Sequence, residues 1–262
     1  MKQYTAGFLG AGNMGGALAQ AAIRTVGAEN VILTCKTEAH TRAAAERLGC
    51  ASGQAAEIIR SSRFVFLGVK PQMLSALAEE LGGVIGEAEC VLVSMLAGVT
   101  LERLEALFPG KRILRIMPNT PCAVGSGMLF LCRGSLAAEQ DAKAFRQLMA
   151  CAGRIDEIPE KWMDAASAVA GCGPAFVAMM LEALADAAVK HGVPRALAYE
   201  LASQMTVGAA TLQLKTGAHP GQLKDAVCSP GGSTIRGVQA LEKAGMRAAF
   251  MDAVDAVMDA GR

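Results

Sequence analysis

Aromatic residues are scarce in this chain. One Trp, two Tyr and eight Phe make up 4% of its 262 residues. A bulky β-sandwich core is therefore disfavoured. The 52% hydrophobic content rests instead on Ala and fourteen Met, which suit close helix packing. Neither sign of charge is in excess: the net charge of +1 gives no reason to expect nucleic acid or an anionic membrane as partner. Only three histidines occur (His40, His191, His219), far apart and unpatterned, so no metal site is expected. Eight cysteines are present, but none forms a C-x-x-C pair and several sit inside apolar runs. They read as small reduced hydrophobes of a cytoplasmic protein. A long uninterrupted apolar run is also missing, since the stretch from Pro174 to Val189 is broken by Glu182 and Asp186. No membrane span is expected. The opening MKQYTAGFLG runs straight into a strand pattern, without the layout of a signal peptide.

What is present falls into two halves. In the first, short β-rich runs at about 4–9, 30–35, 64–69, 90–94 and 112–117 alternate with Ala-rich helical stretches at about 13–25, 38–48, 72–81 and 100–107. This alternation predicts a Rossmann-type, doubly wound parallel sheet with helices on both faces. GVKP (68–71) and MPNTP (117–121) follow directly on strands, at the carboxyl edge where such sheets bind ligands. A last strand pair near 126–132 and 154–158 closes a domain over residues 1–158. From about residue 160 the strands vanish, so residues 159–262 are expected to be all-helical. Pro174 suits the first turn of a helix that Gly192 and Pro194 end, and a neighbour follows at about 195–214. In that helix Glu182, Asp186 and Lys190 form the single polar stripe. A helix apolar on most faces must be covered on most faces, and a second subunit is the expected cover.

The stretch FLGAGNMGGAL places Gly10, Gly12 and Gly15 as G-x-G-x-x-G between a strand and a helix. Gly10 allows the tight turn, Gly12 lets backbone approach a pyrophosphate, and Gly15 lets helix and strand pack closely. Ala11, Asn13 and Met14, interleaved with them, add backbone N–H groups at a helix N-terminus, a favourable place for an anion. Strand, turn and helix arrive in order, so a dinucleotide is the expected ligand. The second strand, VILTCKT, then bears on which one. An NAD enzyme usually ends this strand in Asp or Glu to hold the ribose hydroxyls. Here Lys36 and Thr37 stand there, with Arg42 one turn on, which suits a 2′-phosphate and favours NADPH. Glu38 stands close enough to leave NADH open.

Near the other end the chain reads SPGGSTIRG (229–237). Pro230, Gly231 and Gly232 can hold successive N–H groups toward one point, and Ser233 and Thr234 add hydroxyls where a helix begins. Such a place takes a small anion, and a carboxylate fits it. An elaborate N-cap is the alternative reading of the same string.

The string has company. SPGGSTIRGVQALE (229–242) resembles the C-terminal signature of the pyrroline-5-carboxylate reductases. GCGPAF (171–176) resembles their GSGPAY, and FLGAGNMGGAL, GVKPQ, AGVT (97–100) and MPNTP follow their N-terminal pattern in order. The resemblance implies reduction of 1-pyrroline-5-carboxylate to L-proline by NADPH or NADH, the last step of proline synthesis. It also implies a homodimer interlocked through the helical domain, often built into larger rings. By the same resemblance Val69, Lys70, Pro71, Ala97 and Gly98 surround the cofactor's ribose and nicotinamide. Gly231, Gly232, Ser233 and Thr234 hold the substrate carboxylate, and Glu160 lies near the ring nitrogen. Thr234 is the catalytic candidate, orienting the nitrogen first and relaying a proton second, because a free threonine hydroxyl is too weak an acid to donate unaided.

Three positions depart from the pattern: Cys172 replaces a serine, Phe176 a tyrosine and Ala226 an asparagine found in some members. Two rival enzymes share the two-domain plan. The β-hydroxyacid dehydrogenases resemble G-x-x-G-x-G-x-x-x-K, and Val177 stands at their lysine position. A related imine reductase needs the same cofactor turn, and no residue here fixes the ring size of the substrate. A non-catalytic NADPH sensor would need the first glycine cluster but not the second.

Overall fold

The computed structural model describes residues 2–260, which divide into two compact units, one ending at Gly171 and the other beginning at Cys172. In the first unit β1 (Tyr4–Leu9) leads through the glycine turn into α1 (Asn13–Val26). Then come β2 (Val31–Thr34), α2 (Glu38–Leu48), a two-residue β3 (Ala51–Ser52), α3 (Ala55–Ser61) and β4 (Ser62–Leu67). After α4 (Leu74–Glu87) follow β5 (Val91–Ser94), α5 (Leu101–Leu107) and β6 (Arg112–Met117). The unit ends with β7 (Gly127–Arg133), α6 (Glu139–Leu148), β8 (Gly153–Glu157) and α7 (Met163–Ala170).

All eight strands form one sheet in the order β3-β2-β1-β4-β5-β6-β7-β8. The order reverses beside β1, the crevice where open α/β sheets bind ligands. Pairing is parallel except between β6 and β7, where Leu114 to Met117 face Arg133 to Phe130 in antiparallel register. The expected closing pair does form, β7 lying parallel to β8 at the sheet edge. The central strands read FVFL and VLVS without polar alternation because helices cover both faces. One core holds Phe8, Phe66 and Phe145, with Phe8 and Phe66 stacked at 4.3 Å. The other holds Leu67, Leu92, Ile113 and Leu104. On α1 the buried positions are Gly15, Gly16, Leu18, Ala19, Ala21 and Ala22, mostly small residues that bring the helix close to the sheet.

The second unit is helical throughout: α8 (Gly173–Lys190), α9 (Arg195–Thr216), α10 (Pro220–Val227), α11 (Ser233–Lys243) and α12 (Met246–Ala260). Pro174 sits in the first turn of α8 as expected, and Gly192 takes the positive φ that turns the chain toward α9. Asp186 leaves the polar stripe to pair with Arg195 at 2.5 Å. Among the described residues of this unit, the only buried hydrophobics are the alanines Ala185, Ala198 and Ala202. Met179 is 70% and Leu214 69% exposed. A pair of long helices with so little buried has no core of its own. Its apolar surface calls for a partner, as the sequence anticipates. By length and composition alone, the stretch Glu160–Lys190 could also cross a membrane.

Candidate functional site

The glycine turn after β1 opens onto a cavity of about 1020 Å³. Gly10, at φ +104°, hydrogen-bonds through its N–H to Thr34 O at 2.9 Å. A Cβ on Gly10 would lie 2.5 Å from Gly68 O, and a Cβ on Gly68 would lie 2.3 Å from Gly10 O. The two strand-end turns thus touch backbone to backbone, and each forces the other to be glycine. Gly15 meets the same limit, since its Cβ would sit 2.2 Å from Gly10 O. Gly12 is different. A Cβ there would meet nothing within 4 Å, although Gly12 lines the cavity and N-caps α1. Protein packing does not require glycine at position 12. The open space there, with free N–H groups at the start of α1, suits the close approach of a ligand's phosphates.

Of the expected cofactor residues, Gly10, Ala11, Gly12, Asn13, Lys36, Val69 and Lys70 share this cavity wall. Met14 and Gly15 lie within α1 behind it. Thr37 lies outside the lining, and its hydroxyl is engaged: it accepts the His40 N–H at 3.3 Å and caps α2. Pro71 starts a single 3-10 turn, and Ala97 and Gly98 form the exposed tip of the loop after β5. Arg42 is taken by Glu38 at 2.8 Å, so each offsets the other beside Lys36. Sequence reasoning missed four polar or flexible members of the lining: Gln20, His40, Arg47 and Met73. Arg47 reaches back from the last turn of α2, placing its Nη2 3.2 Å from where a Gly16 Cβ would be. No local motif marks it.

In the second unit, Gly231 takes φ +69° and the Gly232 N–H donates to Ser229 O at 3.0 Å. Helix α11 then begins at Ser233 with Gly232 as N-cap and no side-chain cap. Neither the Ser233 nor the Thr234 hydroxyl has a hydrogen-bond partner among the described residues, and both residues are exposed. The elaborate-cap reading of SPGGSTIRG therefore fails. The turn leaves backbone N–H groups and two hydroxyls at a positive helix end, uncommitted among the described residues.

Glu160 is committed. Its Oε1 accepts from Arg115 Nη1 at 2.6 Å and from the Leu101 N–H at 2.7 Å. Asn119 of MPNTP is likewise structural: its Nδ2 donates to Ala170 O and its Oδ1 accepts the Met128 N–H, both at 2.9 Å. Cys132, beside Glu160, has its thiol pushed up to about 11, first by burial and then by the Glu160 charge.

A family model described as pyrroline-5-carboxylate reductase dimerisation matches residues 160–262. A second, described as NADP oxidoreductase coenzyme F420-dependent, matches residues 5–98. Pyrroline-5-carboxylate reductase 3 of Macaca fascicularis is 41% identical over 257 residues, covering 95% of this chain and 92% of that protein. The pyrroline-5-carboxylate reductase of Pisum sativum is 40% identical over 261 residues, covering 99% and 95%. The crystal structure of Plasmodium falciparum pyrroline carboxylate reductase with NADP bound superposes with a TM-score of 0.88 at 31% identity, over 100% of this chain and 98% of that one. Two motif-bearing units, each matched in sequence and together matched end to end, leave one assignment: this chain belongs to the pyrroline-5-carboxylate reductase family.

Proposed function

We propose that this chain reduces 1-pyrroline-5-carboxylate to L-proline with NADPH, the final step of proline synthesis. The observation that carries this reading is the start of α11, which has a glycine N-cap and no side-chain cap, so that Gly231 to Thr234 can present amides and hydroxyls to an anion. A cofactor turn alone would serve a sensor. A second anion site of carboxylate size gives the protein something to reduce.

When bound, NADPH supplies the hydride that adds to the carbon of the C=N bond. The protein's share is binding, orientation and proton management. Gly10 to Asn13 cradle the pyrophosphate at the head of α1, and Lys36 supplies the cation for a 2′-phosphate. Val69, Lys70 and Pro71 follow β4, and Ala97 and Gly98 follow β5, the positions that border the ribose and nicotinamide. The amides of Gly231 and Gly232 with the Ser233 hydroxyl hold the substrate carboxylate. Thr234 hydrogen-bonds the ring nitrogen. The reaction needs one proton on that nitrogen, and Thr234 can pass one on but cannot generate it at neutral pH. The imine therefore reacts in its protonated form or receives its proton through Thr234 from water.

Residues 159–262 serve as the substrate-binding and dimerisation domain, and the exposed apolar faces of α8 and α9 are covered by a second copy, with larger rings built from such dimers. The enzyme works in the cytoplasm, where its cysteines stay reduced. NADPH absorbance falling when pyrroline-5-carboxylate is added, with proline as product, tests the activity. No consumption with folded protein refutes it. A light-scattering mass of 27.0 kDa at micromolar concentration would refute the dimer.

A further inference from the structure

We infer that Arg115 is a positioning residue for the hydride-transfer site, acting through Glu160 on the loop at residues 95–100. Arg115 lies on β6 with its side chain 3% exposed, a charge removed from water inside the unit. Its partners are Glu160 Oε1 at 2.6 Å and, more loosely, Asp164 Oδ1 at 3.6 Å, while its Nε has no partner. Glu160 spends the same oxygen on the Leu101 N–H at 2.7 Å. Leu101 is the first residue of α5, whose N–H has no partner within the helix. One carboxylate oxygen thus joins a buried cation to a helix start.

The loop between β5 and α5 is held at both ends, and the hold at its far end leads to Arg115 through Glu160. Ser94, the last residue of β5, stands opposite Arg115 in the sheet register, and its hydroxyl accepts the Leu96 N–H at 3.4 Å. At the far end Thr100 caps α5 and Leu101 is tied to Glu160. Leu96 and Val99 are buried between these anchors, which leaves only Ala97 and Gly98 at the tip. The tip's position is therefore set by the sheet edge and by the Arg115–Glu160 pair. Hydride transfer is sensitive to displacement of about 1 Å. The catalytic part of the inference rests on the reading that Ala97 and Gly98 border the nicotinamide. The structural part does not.

The wild-type chain tests the strut first. Amide exchange at single-residue resolution should find Leu101, held by Glu160, and Arg103, held by Thr100, protected about 10-fold or more over Glu102 between them. Leu101 exchanging as fast as Glu102 overturns the inference without any variant. Arg115→Lys and Glu160→Asp keep both charges but shorten or reshape the link. Each should speed exchange across residues 96–101, leave residues 9–16 unchanged, and lower kcat about 10-fold or more while NADPH affinity stays within about threefold. A merely structural role predicts less folded protein with unchanged kcat per folded chain, and that result overturns the inference. If wild-type enzyme does not turn over pyrroline-5-carboxylate, the functional reading fails while the exchange arm still decides the strut.

Discussion

One methyl group at Gly12 separates space kept for a ligand from space kept for packing. A Cβ at Gly12 meets no protein atom within 4 Å, whereas at Gly15 it would press to 2.2 Å on the Gly10 carbonyl. The Gly12 backbone, φ −69° and ψ −155°, is extended and open to alanine. In the ligand-free protein, Gly12→Ala gains about 0.4–1 kcal/mol by restricting the unfolded chain. It loses a comparable amount because alanine is a poorer N-cap than glycine. The net change stays within about 0.5 kcal/mol, or roughly 2 °C in Tm for a chain of this size. Gly15→Ala must move a backbone carbonyl, an overpacking that costs about 1–3 kcal/mol and roughly 3–10 °C. Ligand binding reverses the ranking, because the Gly12 methyl fills the space a pyrophosphate would use. If affinity falls about 100-fold, NADPH at 100 times the wild-type Kd stabilises wild type by about 2.7 kcal/mol and Gly12→Ala by only about 0.4 kcal/mol. Thermal melting with and without NADPH reads both quantities in one plate. A Gly12→Ala chain that melts as low as Gly15→Ala without ligand, or that keeps the full NADPH-induced rise, refutes the reasoning.

Three further outcomes are expected. Lys36→Ala should weaken NADPH binding about 10–100-fold, the worth of one charge-assisted phosphate contact, and leave NADH binding within about twofold. Equal losses for both nucleotides in fluorescence titration would remove Lys36 from the 2′-phosphate. Thr234→Val should lower kcat about 10-fold or more with NADPH affinity unchanged, measured by steady-state turnover and a separate binding titration. The Cys132 thiol is raised from 9.0 to about 11, burial being the larger cause, so the folded state holds this proton more tightly than the unfolded state. Its contribution, about 2–3 kcal/mol, is present below pH 9 and lost as pH rises from 9 through 11. Urea midpoints should therefore fall less steeply over that range in Cys132→Ala than in wild type, and parallel curves would contradict the shift.

Much of the first unit could be read along the chain because its signals are local. The strands are apolar runs of four to six residues, and β1, β4, β5 and β6 emerge within two residues of their expected ends. What escaped is what local pattern does not carry. Helix α6 buries only Ala142, Phe145 and Leu148 along a charged segment, plus Asp141, which holds the Ala138 N–H, so its apolar stripe is thin. The antiparallel run of β7 leaves no trace in composition, since an apolar strand reads alike in either direction. Gly68 looks like an ordinary turn glycine until the fold brings it against Gly10, 58 residues earlier. The Arg115–Glu160 pair spans 45 residues and belongs to no motif spacing.

The second unit was legible in a different sense: its sequence told of something absent. An α8 with one buried alanine and a largely apolar surface cannot be explained by contacts among the described residues, because about 25 cal/mol per Å² of buried apolar surface is the main return that offsets chain entropy. The same arithmetic applies to α9, where Leu201, Met205, Leu212 and Leu214 stay exposed. A large exposed apolar surface of this kind marks an interaction site. The apolar surplus on α8 and α9 is thus an interface written in advance, and the stability of these helices becomes a property of the assembly and its concentration rather than of one chain.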